Sequence, residues 1–323
     1  MKGEITMDSA VNGKTKVLVC DPLHEEGIRK IKEKGFEVDV KPIISKEELE
    51  RIVSDYDVLI VRSRTNITGE IIKRAKHLKI IGRAGAGLDN IDVKSAEEAN
   101  ITVLNTAESA ATSVAELTIG LILSLVRRIP EADRSMKEAK WIKKDLEGRQ
   151  LRGKTLGLIG FGNIGIKVAQ IASGFGMVIL IAKRTPPDRR LLESIGARWV
   201  SLPVLLSESD IVSLHVPLTE QTRNMIGARE LDLMKDGAFL VNTSRGAIID
   251  EDALLEALQS GKLGGVALDV YESEPPTDLG LIRLPNVVCT PHIGAQTEEA
   301  QRDAAVGIAE KIINLLTKTK LTS

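Results

Sequence analysis

Three apolar runs in the C-terminal half of the sequence end in side chains that can bind an anion or move a proton. "AFLVNTS" runs out into Arg245, "GVALDV" carries Asp269 with Glu272 and Glu274 just beyond it, and "NVVCTPH" ends at His292. An arginine can hold a carboxylate, and a histidine can exchange a proton near neutral pH. A carboxylate beside that histidine would fix its tautomer and favour its charged form. Each residue alone has a plainer reading: a solvated arginine, an aspartate cap, two surface glutamates and a core or surface histidine. Convergence on one rim gives them weight, because ligands of open α/β sheets sit outside the carboxyl ends of the strands. His215, at the end of "DIVSLHV", is the rival to His292, although no carboxylate follows it closely. His24 follows a Pro turn and His77 lies in a basic helix, so both are expected on the surface.

Upstream, "GLIGFGNIG" places Gly160, Gly162 and Gly165 in GxGxxG spacing, after an apolar strand and before the helical stretch "NIGIKVAQIASG". The first glycine allows a tight turn, the second lets the backbone approach a pyrophosphate, and the third lets helix and strand pack closely. The helix N-terminus then faces the anion. A tight structural turn is the alternative for such a loop; its strand-turn-helix setting favours nucleotide binding.

The elements that must position these groups alternate throughout. "KVLVCDP", "FEVDV", "DVLIVRS", "LKIIG" and "ITVLN" read as five strands separated by helical segments, with Ser45 and Glu48 at capping-box spacing. A long helix from about Thr112 is expected to break near Pro130 and resume through Trp141. From Lys154 onward seven more strands follow, enough for a complete dinucleotide-binding sheet. The last helical stretch has no place left in that sheet and is expected to return to the first. The predicted fold is α/β with two doubly wound parallel-sheet domains. A Rossmann domain (109–295) is inserted into a discontinuous flavodoxin-like substrate domain (1–108 and 296–323), with two long helices as hinges and a cleft between the domains.

Composition narrows the partners. A formal net charge of −1 over 323 residues provides no basic excess for nucleic acid. The longest apolar run, "LTIGLILSLV", is too short to span a bilayer. The polar first 16 residues lack the apolar core of a signal peptide, and the only cysteines, Cys20 and Cys289, sit in apolar strand-like runs. A cytoplasmic protein acting on small molecules, without metal, is expected.

"VRSRTNIT", "GRAGAGLDNID", "SVAELTIGLIL", "LGLIGFGNIG", "NTSRGAIID", "ALDVYESEPP" and "TPHIGAQTEEAQ", in that order, resemble the D-isomer-specific 2-hydroxyacid dehydrogenases, most closely the phosphoglycerate dehydrogenases. The resemblance covers nearly everything from Lys16. It implies Arg245, Glu274 and His292 as the catalytic set, with hydride passing between a nicotinamide and C2 of a 2-hydroxy or 2-keto acid. Implied cofactor contacts are Gly160, Gly162, Asn163, Ile164, Gly165, His215, Pro217, Thr243, Gly294 and Asp269, the last near the nicotinamide carboxamide. Arg62, Ser63 and Arg83 would face the substrate phosphate, and backbone around Ala84 and Gly85 would hold its carboxylate. The implied substrate pair is 3-phosphoglycerate and 3-phosphohydroxypyruvate of serine biosynthesis. A glyoxylate or hydroxypyruvate reductase, or a dinucleotide-sensing corepressor-like protein, remains the alternative. Extra regulatory domains are not expected, because the chain ends soon after its last helix.

The sequence departs from the family pattern at "ILIAKRTPP". Where that pattern has an Asp that accepts the ribose hydroxyls, Lys183 and Arg184 stand. With the acid goes its repulsion of a 2'-phosphate, so NADP is expected to be accepted beside NAD. The alternative is a pair of solvated turn charges. The segment 129–148, carrying Trp141, resembles the family's dimerisation arm, so a homodimer is expected.

Overall fold

The structure, a computed structural model, describes residues 14–319; the polar extension lies mostly outside them. The first five strands are β1 (Lys16–Val19), β2 (Glu37–Val40), β3 (Val58–Val61), β4 (Ile80–Arg83) and β5 (Thr102–Asn105). All pair in parallel in the order β2-β1-β3-β4-β5, the flavodoxin order. Crossovers run through α1 (Glu25–Glu33), α2 (Lys46–Ile52), α3 (Gly69–Arg74) and α4 (Val93–Glu98). Helix α2 starts where the capping pattern predicts: the Ser45 hydroxyl accepts the Glu48 N–H at 3.2 Å.

The uninterrupted apolar run of β3 follows from burial on both faces. Leu59 and Val61 pack with Leu18, Ile71 and Ile81, while Val58 and Ile60 pack with Val17, Ile31 and, from the far end of the chain, Ile308 and Ile312. The C-terminal helix therefore does return to the first sheet. Gly27 makes room for it, since a Cβ there would lie 2.5 Å from the Ala305 carbonyl oxygen.

The second sheet contains β6 (Thr155–Ile159), β7 (Val178–Ala182), β8 (Ala197–Trp199), β9 (Ile211–Leu214), β10 (Ala238–Asn242), β11 (Leu263–Leu268) and β12 (Val287–Cys289). Its order is β12-β11-β10-β9-β6-β7-β8, all parallel: the Rossmann order with one strand added. Its helices are α5 (Ala111–Val126), α6 (Ile129–Lys137), α7 (Asn163–Gly174), α8 (Arg189–Ile195), α9 (Leu202–Glu208), α10 (Ala228–Leu233) and α11 (Glu251–Gln259); α12 (Glu298–Thr319) is the helix that returns to the first sheet. One sheet face packs Leu156, Ile179 and Val241 with Ile122 and Val168; the other packs Leu180, Val212 and Leu240 with Leu205, Leu231 and Leu254. Each such side chain contributes roughly 1.5–3 kcal/mol on burial.

Contacts divide the chain into two compact units. One runs to Ser109 and resumes at Gln301; the other is Ala110–Ala300. The predicted break near Pro130 has a different cause: α5 stops at Val126, and Arg128, left-handed at φ +52°, caps α6. Pro130 occupies the first turn of α6, where its missing N–H costs nothing. That helix ends at Lys137, so Trp141 lies beyond it rather than on it. His77 likewise lies in the turn after α3, not in a helix, and it is exposed. Cys20 is buried and Cys289 only partly so; both are free. Among the described residues no helix is long and apolar enough to cross a membrane, and no group of metal-ligating side chains converges.

Candidate functional site

Strands β10, β11 and β12 are neighbours, so their carboxyl ends deliver the polar residues side by side. Beyond β10, buried Asn242 turns the chain outward. Its Oδ1 accepts the Ser244 N–H (3.0 Å) and hydroxyl (2.8 Å), and its Nδ2 donates to the Arg245 carbonyl at 2.9 Å. Arg245 is half-buried, and its Nη1 donates to the Ser244 carbonyl at 2.7 Å. The next residue must be glycine, because a Cβ on Gly246 would sit 1.9 Å from the carbonyl carbon of Tyr271. The arginine loop is thereby seated against the segment that carries Glu274.

His292 Nδ1 hydrogen-bonds Glu274 Oε2 at 2.6 Å, and Glu274 Oε1 accepts the Tyr271 N–H at 3.2 Å. Both side chains are about two-fifths exposed, at 46% and 38%, so the imidazole is accessible to a ligand. His292 is left-handed at φ +51°, a conformation that non-glycine residues adopt only when their surroundings hold them there. Asp269 does the holding. Its Oδ1 accepts the Thr290 hydroxyl (2.6 Å) and the Ile293 N–H (2.8 Å), its Oδ2 accepts the Gly294 N–H (2.9 Å), and its carbonyl accepts the His292 N–H (2.8 Å). Asp269 is 1% exposed; as placed here, its carboxylate serves the histidine turn. Glu272 is exposed, and its N–H donates to Glu251 Oε1 at 2.9 Å.

The glycine loop opens a cavity of about 960 Å³ lined by Gly160, Gly162, Lys183, Arg184, Thr185, Trp199, His215 and Pro217, among others. Gly160 has φ +97°, and a Cβ on it would lie 2.4 Å from the His215 carbonyl oxygen; around Gly162 nothing lies within 4 Å. Gly162 is the N-cap of α7, and no side chain caps the first turn formed by Asn163, Ile164 and Gly165. Open space over a glycine and uncapped helix amides suit a pyrophosphate, so these residues fit a dinucleotide. His215 Nε2 bonds the Ser213 hydroxyl at 2.9 Å, its Nδ1 is buried without a partner, and burial pushes its pKa down to about 4. The ring is therefore neutral near pH 7. Thr243 does not line the cavity; its hydroxyl hydrogen-bonds that of Thr118 at 2.9 Å.

In the first unit, Arg62 follows β3 and is partly buried, while Ser63 and Arg64 are exposed. Burial lowers the Arg62 pKa, and nearby Asp21 opposes that shift. Arg83 folds across Gly85, its Nη1 donating to the Ala84 carbonyl at 2.8 Å. The expected anion-binding amides are already engaged: the Ala84 N–H donates to the Val61 carbonyl (2.9 Å) and the Gly85 N–H to the Thr106 hydroxyl (2.8 Å). Those of Ala86 and Gly87 donate to no described partner. Sequence reasoning passed over Asn242, Tyr271, Thr106, Trp199, Asp21 and Asn90, all of which bond the backbone of a loop. Only their placement beside that loop reveals them.

The family model of the D-isomer specific 2-hydroxyacid dehydrogenase NAD binding domain matches residues 119–294. Hydroxypyruvate reductase of Thermotoga maritima is 50% identical over 304 residues, covering 93% of this chain and 98% of that protein. D-3-phosphoglycerate dehydrogenase of Methanocaldococcus jannaschii is 48% identical over 302 residues, 93% of this chain but 57% of that enzyme's length. Among solved structures, an acyclic imino acid reductase in complex with NADPH and D-arginine superposes with a TM-score of 0.86 at 31% identity, covering 94% of this chain and 98% of that one. The fold and the glycine loop define a nucleotide-binding α/β protein of the dehydrogenase type. The chain belongs to the D-isomer specific 2-hydroxyacid dehydrogenase family, and its second unit carries the family's NAD-binding domain.

Proposed function

We propose that the chain is an NAD(P)-dependent dehydrogenase of D-2-hydroxy acids, with 3-phosphoglycerate and 3-phosphohydroxypyruvate as its substrate pair. The observation that carries the reading is the 2.6 Å contact between His292, beyond β12, and Glu274, beyond β11, the strand beside the one that leads into Arg245. Arg245 binds the carboxylate end of the substrate and polarises its C2 carbonyl. His292 donates a proton to that carbonyl oxygen in reduction and takes it back in oxidation, and Glu274 orients the ring. A bound nicotinamide dinucleotide supplies or accepts the hydride. Gly160, Gly162 and the first turn of α7 hold its pyrophosphate, and Lys183 and Arg184 on the cavity rim take a 2'-phosphate when NADP binds. Arg62 and Arg83 take the substrate phosphate. The free amides of Ala86 and Gly87, two residues beyond the pair expected from the sequence, take the carboxylate.

The Thermotoga maritima relative, matched over 98% of its length, supports a second reading as a hydroxypyruvate reductase. We also place the protein in the cytoplasm, and we read it as a homodimer, a reading supported by the exposed Ile129, Met136 and Trp141 (49%, 58% and 78%) between residues 129 and 148. Sedimentation velocity of wild type and Trp141→Lys tests the dimer. For substrate, kcat/KM is measured with 3-phosphohydroxypyruvate, hydroxypyruvate and glyoxylate. A charge-assisted hydrogen bond of about 1.5–3 kcal/mol predicts a roughly 10- to 150-fold preference for the phosphorylated acid. No preference selects the hydroxypyruvate reductase; no turnover of any 2-keto acid selects a dinucleotide-sensing binding protein.

A further inference from the structure

Between the end of β3 and the bridge of Ile67 to Ile91, residues 62–65 have no ladder partner, yet they are held on both sides. Asp21, past the end of β1, approaches from one neighbouring strand, and Asn90, in the loop after β4, from the other. Asp21 Oδ2 accepts the N–H groups of Arg62 (2.5 Å) and Thr65 (3.3 Å), and Oδ1 accepts the Thr65 hydroxyl (2.6 Å). Asn90 Nδ2 donates to the carbonyls of Arg62 (2.8 Å) and Thr65 (2.6 Å). Both main-chain polar groups of Arg62, and both of Thr65, are thus bound by the same two side chains. Ser63 and Arg64 are left as the exposed tip.

We infer that Asp21 and Asn90 are positioning residues that fix residues 62–65 and so present the Arg62 guanidinium to the substrate phosphate. The last clause rests on the phosphate role proposed for Arg62 above. Asp21 is 1% exposed and cannot itself meet the phosphate; it acts through the loop. The chemistry is specific, because three donors face one carboxylate and two carbonyls face one amide. Asp21→Asn sets an NH2 group against donors that need an acceptor, and Asn90→Ala removes both donors.

The test measures Asp21→Asn, Asn90→Ala and Arg62→Ala together. KM and kcat are taken with 3-phosphohydroxypyruvate and glyoxylate, and amide hydrogen exchange is followed at Arg62, Thr65 and strand β3. In the two clamp variants, exchange at Arg62 and Thr65 is expected to quicken by about 10-fold or more while β3 stays protected. KM for the phosphorylated acid should rise about 10-fold, that for glyoxylate less than about 3-fold, with kcat retained. Unchanged exchange at Arg62 and Thr65 overturns the clamp. So do equal losses on both substrates when Arg62→Ala is itself selective, since a purely structural role would act that way. A non-selective Arg62→Ala with quickened exchange overturns the phosphate role of Arg62 and leaves the clamp standing.

Discussion

His292 Nδ1 lies 2.6 Å from Glu274 Oε2, and the backbone beneath that imidazole is left-handed at φ +51°. One bond orients the ring from the side, and the Asp269 contacts fix the turn from below. Losing the imidazole by His292→Ala should cost at least ~100-fold in kcat with folding intact, the usual scale for a general acid–base group. Near-normal turnover in a folded variant would remove the role from His292.

The carboxylate should be needed as well. Glu274→Ala frees the ring that the 2.6 Å contact holds, so kcat should fall by about 10-fold or more, the equivalent of some 1.4 kcal/mol, while the Kd for NADH stays as in wild type. Turnover like that of wild type in a folded variant would mean that the contact does not orient the ring for proton transfer.

His215 predicts a stability effect with a definite sign. Burial holds its folded pKa at about 4 against an ordinary 6.5, so between those pH values the unfolded chain binds more protons. Stability is therefore full above about pH 6.5 and is lost as pH falls toward 4. The residue as a whole is only partly buried although its Nδ1 is fully covered, so about 3 kcal/mol is an upper bound. Urea midpoints of wild type and His215→Asn across this range check it: the variant curve should be flatter, and parallel curves would exclude His215 as the source.

What the sequence disclosed and what it hid divide along physical lines. Strand runs such as "VLIV" and "AFLVN" are buried on both sides, so their apolar signal is strong, and all twelve expected strands are present. Arg245, Glu274 and His292 leave adjacent strands within a few residues, so a sheet order was enough to bring them to one rim. Which amides around Ala84 and Gly85 are open to an anion is not legible in the sequence, because an amide's availability depends on its acceptors. Thr106, distant in sequence, takes the Gly85 N–H, and no spacing rule announces that. The break before α6 was assigned to Pro130, whereas the left-handed residue is Arg128, a position that side-chain type does not mark.

The two cations on the cavity rim bear on cofactor choice. Lys183 and Arg184 line the dinucleotide cavity, and Trp199 Nε1 donates to the Lys183 carbonyl at 3.1 Å, fixing the backbone of that turn. Among the described residues lining the cavity there is no carboxylate to repel a 2'-phosphate. Wild type is expected to use NADPH within ~100-fold of NADH, about 2.7 kcal/mol, and Lys183→Asp to shift the ratio toward NADH by about 10-fold or more. A stronger NADH preference that Lys183→Asp leaves unchanged would make both cations bystanders.

Two glycines of one loop should fail in different ways when each gains a methyl group. At Gly160, φ +97° is strained for any side chain, and the new Cβ would meet the His215 carbonyl oxygen at 2.4 Å. The backbone must move, at a cost of at least about 1–2 kcal/mol, so Gly160→Ala should lower Tm by roughly 2 °C or more for a unit of this size. Gly162 has an ordinary φ of −101° and nothing within 4 Å. Gly162→Ala should therefore fold with a nearly unchanged Tm, while its methyl group occupies the space over the first turn of α7. Dinucleotide Kd should rise about 10-fold or more, the equivalent of some 1.4 kcal/mol. Calorimetric Tm and NADH titration on both variants separate the two mechanisms. A Gly162→Ala protein that binds NADH like wild type would mean that the pyrophosphate does not pass over this glycine, and the dinucleotide path drawn from the cavity would have to be abandoned.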